Sequence, residues 1–393
     1  MERQHMTGDS SLLKSINQTT LLAIIRHHAP ISRAELAKRT KLTRATVSAL
    51  VEPLIARHLV AETGIGPSSG GRKPLLLEVN RSGGYVIGVD LQATSLLLLV
   101  ADLAGGKVER ICAEYERPDD PEATRDQLLS LIEQARGRLP ASPLGLCAVG
   151  IGVHGFVRHP GETIRFVPHF GWKRVDWKAE MEARLGVPVW IDNEANLAAL
   201  GELETDETAA LTDMLYVSVG AGIGAGLILA GEVFRGRRGY AGEVGHTTIV
   251  QGGLACTCGN KGCLEMYASE KAFAAMLDLP YRPGFTERAL KLLEAGDMRA
   301  HAALADIGAS LGSGIVNMMH TFDPQAVVVG NAIARYKRWL APAIEQALGN
   351  RLPFVDYGSV AIRFSVLGDE ACATGAVFLG IRRLFELQDR QPA

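Results

Sequence analysis

Three cysteines fall within eight residues, Cys256, Cys258 and Cys263, and their neighbours are Thr, Gly, Asn and Lys rather than apolar side chains. Thiolates at C-x-C-x4-C spacing are metal ligands by type and by reach. His246 lies ten residues upstream in Gly242-Glu243-Val244-Gly245-His246 and supplies a fourth donor. Three soft sulfurs and one imidazole make a closed tetrahedral set, so a structural zinc ion is expected there. The bland alternative is a group of buried thiols without metal, but core cysteines are rarely crowded among polar residues. Cys112, Cys147 and Cys372 are scattered in apolar surroundings, and a reducing compartment leaves disulfides unexpected.

Carboxylates surround the cysteine knot in sequence. Glu243 precedes His246 by three residues and Glu265 follows Cys263 by two, so folding the knot brings both together. A second group, Asp192-Asn193-Glu194-Ala195-Asn196, ends a strand pattern and opens a helix, a common place for ligand contacts. Carboxylates and amides each bond to adjacent hydroxyls, which suits a sugar. A solvated helix face would explain any one of these glutamates; it does not explain the set.

The elements that must position these residues read as two sets of strands and helices. Tyr85 to Asp90, Leu96 to Val100, Val149 to Val153 and Val187 to Ile191 are strand patterns, with Asp102-Leu103-Ala104-Gly105-Gly106 as a turn. The second set has strands at Met214–Val219, Gly226–Ala230 and Ala326–Val329, and a long helical stretch around residues 265–320. Doubling of this kind predicts two similar α/β lobes with a cleft between them. Gly220-Ala221-Gly222-Ile223-Gly224-Ala225-Gly226 follows a strand but opens another strand, not a helix. It therefore reads as a glycine-lined hairpin between lobes and not as a dinucleotide fingerprint.

Residues 1–80 have a different character, with eleven Lys/Arg against six Asp/Glu, while the chain as a whole carries −2. A basic head on an acidic body points to an anionic partner for the head. Leu13, Ile16, Leu21, Ile24 and Ile25 predict a helix to about His28, broken at Ala29-Pro30. Ser32-Arg33-Ala34-Glu35 is a capping box for a short helix to about Arg39, and Thr43 caps a third that runs to about His58. Val47, Leu50, Val51, Leu54 and Ile55 form its apolar face, leaving Arg44, Thr46 and Ser48 outward in the first turn. A helix so placed reads base edges in the major groove. Strands at Leu59–Glu62 and Leu75–Val79 flank Ser68-Ser69-Gly70-Gly71-Arg72-Lys73-Pro74, a wing tip whose Arg72 and Lys73 suit phosphates or a narrow minor groove. Arg33, Arg44, Thr46, Ser48, Arg72 and Lys73 are thus the candidate contacts to double-stranded DNA.

At 393 residues two or three domains are expected. No apolar run reaches the roughly 18 residues of a membrane span. The polar start MERQHMTGDSSLLKS lacks a signal peptide's apolar stretch, so a cytoplasmic location is expected.

The glycines and the Gly245-His246 pair between Val219 and His246, together with Cys256-x-Cys258-Gly-Asn-x-Gly-Cys263-x-Glu265, resemble the signature and zinc motif of the ROK family of repressors and sugar kinases. The likeness covers nearly the whole chain. It implies an α/β fold in which an N-terminal winged helix-turn-helix joins a two-lobed, actin-like, sugar-kinase-like domain. Boundaries follow at 1–80 for the head, 81–200 for one lobe, completed by 371–393, and 201–370 for the lobe with the zinc site. The resemblance also implies that Asn193, Glu194, Glu243, His246 and Glu265 line a sugar pocket, with His246 serving both metal and sugar.

Two departures separate this chain from the family's kinases. Where those carry Asp-x-Gly-Gly-Thr-Lys, here stands Asp90-Leu91-Gln92-Ala93-Thr94-Ser95, without the glycines that admit phosphates and without the cation. Where those place an Asp base in Asn-Asp-x-Asn, here stands Asn193-Glu194-Ala195-Asn196, a methylene longer. Within the family the likeness is greatest to its xylose repressors, in Ile16-Asn17-Gln18, Ile31-Ser32-Arg33-Ala34, the wing tip and Asn193–Asn196. His154, in Gly152-Val153-His154-Gly155, replaces the family's usual Pro near the expected pocket. A non-enzymatic repressor follows as the expectation, a homodimer or homotetramer released from a palindromic operator by free sugar, with xylose the implied effector. An active sugar kinase with a DNA-binding head, and a regulator strengthened by its ligand, stay open.

Overall fold

A computed structural model of the chain describes residues 10–65, 73–205, 208, 210–351 and 360–387. The head comprises α1 (Ser10–His28), α2 (Arg33–Thr40) and α3 (Arg44–Ala56) with a three-stranded sheet of β1 (Ile31–Ser32), β2 (Val60–Ile65) and β3 (Leu75–Val79) in the order β1-β3-β2. The helix starts follow from side-chain chemistry. Ser32 Oγ accepts from Glu35 N at 3.2 Å and Thr43 Oγ1 from Thr46 N at 3.1 Å. The reciprocal half of the capping box is not made: the Glu35 carboxylate turns outward to Arg39 Nε, 3.1 Å away. Lys41 takes the left-handed conformation (φ 58°) that ends α2 and turns the chain into α3. In α1 the apolar pattern is only half used. Leu21, Leu22 and Ile25 are buried against Leu36, Val47, Leu50 and Leu54, whereas Leu13 and Ile16 are exposed.

Two five-stranded sheets carry the body. The first contains β4 (Tyr85–Leu91), β5 (Ser95–Asp102), β6 (Lys107–Glu114), β7 (Leu146–Val153) and β11 (Val189–Asn193), ordered β11-β7-β4-β5-β6. β4, β5 and β6 form an antiparallel meander, and β7 and β11 join parallel. Every residue of β4 and β7 is buried, because helices or the neighbouring lobe cover both faces. A three-stranded sheet, β8 (Phe156–Arg158), β9 (Thr163–Val167) and β10 (Trp172–Val175), flanks it. Cys112, expected in apolar surroundings, lies exposed on β6.

The second sheet contains β12 (Met214–Val219), β13 (Ile223–Leu229), β14 (Glu232–Val233), β15 (Ala326–Gly330) and β16 (Ala361–Phe364), ordered β14-β13-β12-β15-β16. The helical stretch expected around 265–320 is four helices: α7 (Glu265–Ala268), α8 (Glu270–Met276), α9 (Phe285–Glu294) and α10 (Met298–Phe322). Glycines at positive φ, Gly284 and Gly296, stand directly before α9 and between α9 and α10. α10 is long and apolar enough by composition to cross a membrane, but most of it is buried in the protein, with Leu304, Ile307, Leu311 and Ile315 fully covered. It is a core helix. α11 (Lys337–Arg351) packs along it.

α6 (Glu194–Leu203) and α12 (Ala371–Leu387) lie between the sheets. α12 covers β4 and β7, while α6 packs on α12 and on β12 and β13. All ten residues of α6 are buried. A Cβ at Gly375 would stand 1.6 Å from Leu197 O, and one at Gly226 2.1 Å from Ala195 O. These glycines are what let α6 touch backbone on both sides. α4 (Pro121–Arg138) and α5 (Lys178–Leu185) cover the outer face of the first sheet.

Candidate functional site

The cysteine knot forms in a loop with little regular structure. Gly259 (φ 92°) and Gly262 (φ 78°) turn the backbone, and a Cβ at Gly262 would stand 1.7 Å from Val250 O. Single bridges Thr248–Cys263 and Ala255–Lys261 tie the loop to itself. The result gathers His246, Cys256, Cys258 and Cys263 with all four ligand atoms within 4.8 Å of one another. Cys256 Sγ to His246 Nδ1 and Cys258 Sγ to Cys263 Sγ are both 3.7 Å. A tetrahedral ion with bonds of about 2.3 Å separates its ligands by about 3.8 Å. The donor set and its spacing therefore fit a metal ion. Asn260 Nδ2, 3.4 Å from Cys263 Sγ, supports that thiolate.

The knot fixes the start of α7 and hence Glu265. Its Oε2 accepts from Ile223 N at 3.1 Å and rests on Gly222, where a Cβ would stand 2.6 Å away. Glu243 is near enough to Glu265 to feel its charge. Burial first, and Glu265 second, push the Glu243 carboxyl up to about 7. The glycine run lies between the two groups of candidates. Gly222 meets Glu265, while Gly224 and Gly226 meet Ala195 in the first turn of α6. The glycines serve close packing rather than a phosphate cradle.

At the start of α6, Asn193 is engaged at both ends of its amide. Its Oδ1 caps the helix through Ala195 N (2.9 Å) and Asn196 N (3.4 Å), and Nδ2 donates to Gly155 O at 2.9 Å. Glu194 is buried, with Ser218 Oγ 2.8 and 3.1 Å from its two oxygens. Ser218 in turn accepts from Asn331 Nδ2 at 3.0 Å. On the other side His154, directly after β7, places Nδ1 3.9 Å from Glu194 Oε2 and Nε2 3.0 Å from Asp90 Oδ1. Burial pulls the imidazole toward its neutral form, but Glu194 and Asp90 outweigh it and raise His154 to about 9. It is an imidazolium at neutral pH, wedged between two carboxylates. Burial likewise raises Glu194, opposed by His154.

Sequence reasoning marked His154 only as a departure from Pro, and it did not find Ser218 or Asn331. The pattern offered no signal for the network, because its members come from β4, the β7 end, α6, β12 and the β15 end. In the hairpin between β4 and β5, Gln92 fills the turn: Ser95 Oγ donates to Gln92 Oε1 at 2.9 Å, and Gln92 Nε2 donates to Asp369 O at 3.2 Å.

On the head, Arg44 and Thr46 are exposed in the first turn of α3, and Ser48 is half-buried. Arg33 is not free: its guanidinium pairs with Glu62 (2.6 Å) and Glu52 (3.1 Å), joining β2 to α3. Lys73 is exposed at the foot of the wing, and Arg72, with residues 68–71 of the wing tip, lies outside the described residues.

A two-sheet α/β body with a buried carboxylate–imidazole network and a Cys3His knot, joined to a winged helix-turn-helix, defines a class that the comparisons resolve. Residues 86–383 match the ROK family and residues 15–61 match a winged helix-turn-helix DNA-binding family. The chain belongs to the ROK family. It is 35% identical to the xylose repressor of Bacillus spizizenii (strain W23) over 97% of this chain and 98% of that one. Among solved structures it resembles a ROK family transcriptional regulator described as a homologue of the Escherichia coli Mlc protein, with TM-score 0.82 and 26% identity, covering 96% of this chain and 98% of that one. A ROK family glucokinase from Streptomyces griseus, solved with glucose and AMPPNP, aligns with TM-score 0.66 and 27% identity over 76% of this chain and 99% of the kinase.

Proposed function

We propose that the protein is a sugar-responsive transcriptional repressor of carbohydrate-utilisation genes that leaves its operator when a free sugar, D-xylose, enters the cleft. Glu194 carries this reading. At the position of the kinase base, the buried carboxylate is held by Ser218 Oγ and has the His154 ring 3.9 Å from Oε2, whose charge opposes its taking a proton while lone pairs remain to accept from a sugar hydroxyl. Gln92 stands in the β4–β5 hairpin in place of the first glycine of the kinase motif, with its side chain tied to Ser95 and Asp369, which fits the loss of phosphate chemistry. Non-enzymatic sensing fits both observations, and relatives that are xylose repressors along their whole length support the effector.

In this reading Asn193, Glu194, Glu243, His246 and Glu265 surround the sugar, and the cysteine knot holds zinc as a structural ion that keeps Glu265 in place. The head comprises residues 1–80, one lobe residues 81–200 with 371–393, and the other residues 201–370. Arg44, Thr46, Ser48 and the wing's Arg72 and Lys73 contact double-stranded DNA, with Arg33 braced behind them. The protein acts in the cytoplasm as a homodimer or tetramer, since two heads match two half-sites about one helical turn or a multiple apart.

A thermal-shift panel tests the reading. D-xylose is expected to raise the unfolding temperature and xylose phosphates are not, and Glu194→Ala is expected to abolish the shift while leaving operator binding intact. A coupled ATP assay with turnover of roughly 1–100 per second on any sugar would instead establish a kinase.

A further inference from the structure

Arg26, two residues before the end of α1, leaves the head and enters the body. Its Nη2 donates to Glu204 Oε1 at 2.8 Å, and Arg382 Nη2 from α12 donates to the same oxygen at 2.9 Å. The Arg26 guanidinium lies over the Phe378 ring, 5.5 Å from its centre. The Arg26 side chain is 9% exposed and that of Glu204 5%. One carboxylate thus holds two guanidiniums, and Arg26 Nη1 is buried with no hydrogen-bond partner among the described residues. Such a contact lasts only while Glu204 stays between the cations, because a buried charge stripped of its partner is strongly destabilising. Partial release would leave a buried charge unpaired, so the contact is expected either seated whole or released whole to water.

Glu204 is the C-terminal cap of α6, and Asn193 and Glu194 begin the same helix. Ten helical residues span about 15 Å. α6 cannot shear against α12, because Gly201 and Gly375 interlock with backbone of the opposite helix: a Cβ at Gly201 would stand 2.5 Å from Ala371 O. The pair moves as one body. α12 also begins against the end of β7, two residues before His154, where a Cβ at Gly152 would stand 2.1 Å from Cys372 Sγ, and further along it carries Phe378 and Arg382. Close-packed elements of this kind transmit small displacements without absorbing them.

We infer that the Arg26–Glu204 joint sets the orientation of the DNA-binding head and that α6, clamped to α12, delivers the occupancy of the cleft to that joint. This rests on the sugar-sensor reading above. Arg26 and Glu204 are positioning residues: neither belongs to the set placed around the sugar or on the DNA face.

The test uses the full-length protein, operator DNA followed by fluorescence anisotropy, and calorimetry with D-xylose. In the wild type, xylose is expected to weaken operator binding by a factor in the usual coupling range, about 5–150. Glu204→Gln is expected to bind xylose within about threefold of wild type while that factor falls below about two. Arg26→Lys, which keeps the charge but loses the fork and the ring contact, is expected to fall between them. Wild-type xylose release in Glu204→Gln would overturn the inference, as would loss of xylose binding itself in that variant. Should Glu204→Gln fail to fold, Arg26→Gln reads the same coupling from the head side, with the same two outcomes. Xylose that binds the wild type without changing operator affinity would overturn the sensor reading, and this inference with it; release in the wild type that persists in every variant overturns this inference alone.

Discussion

His154→Gln removes the cation between Asp90 and Glu194 while keeping a polar side chain of similar reach, and the structure sets the size of the effect. The imidazole's ordinary value is 6.5, and the two carboxylates hold it at about 9 in the folded protein. At 1.36 kcal/mol per pH unit the difference is worth about 3 kcal/mol. Because the folded value lies above the unfolded one, this stability is fully present below about pH 6.5 and is lost as pH rises through about 9. Wild-type stability is therefore expected to decline between pH 6.5 and 10. In His154→Gln that decline is absent. Instead two buried carboxylates face each other unneutralised, so the variant is less stable at pH 7 and recovers as the pH falls and one of them takes a proton. All four tryptophans, Trp172, Trp177, Trp190 and Trp339, lie in the body, so their fluorescence follows this lobe pair and not the head. A change of about 3 kcal/mol corresponds to about 5–10 °C in the unfolding temperature. Parallel pH profiles for wild type and variant from pH 6.5 to 10 would refute the protonated bridge.

The remaining predictions concern the knot, the DNA face and the helix clamp. Metal analysis is expected to find one zinc per chain, and Cys258→Ser or a strong chelator to remove it and lower the body's unfolding temperature; a metal-free wild type would refute the assignment. Arg44→Ala is expected to weaken operator binding by about 1–3 kcal/mol and relax specificity at one base pair, measured by anisotropy on operator variants; an equal loss on every sequence would make it a phosphate contact. Gly375→Ala would put a Cβ 1.6 Å from Leu197 O, forcing α6 and α12 apart. A loss of about 1–3 kcal/mol or more by thermal unfolding is expected, and wild-type stability would refute the clamp.

The local chemistry was legible in the chain itself. Cysteine spacing marked the knot that gathers all four donors within 4.8 Å. Ser32 and Thr43 marked the starts of α2 and α3 because a hydroxyl two or three residues before orphan N–H groups caps them whatever else surrounds it. Strand patterns located β4, β7 and β12 because their residues are buried on both faces, which a short continuous apolar run records.

Only the tertiary structure decided how side chains are spent. Arg33 and Arg44 look alike in sequence, yet Arg33 is bound to Glu52 and Glu62, while Arg44 is exposed. The glycine run could have cradled a phosphate, but its Cβ-free faces are filled by Ala195 and Glu265. His154 and Arg26 carry the chemistry that spacing could not reveal. Their partners stand 64 and 178 residues away, and pairing over such distances is set by how the sheets, α6 and α12 pack rather than by any local pattern. The cysteine knot is a property of the sequence; the His154 bridge and the joint to the head are properties of the packing.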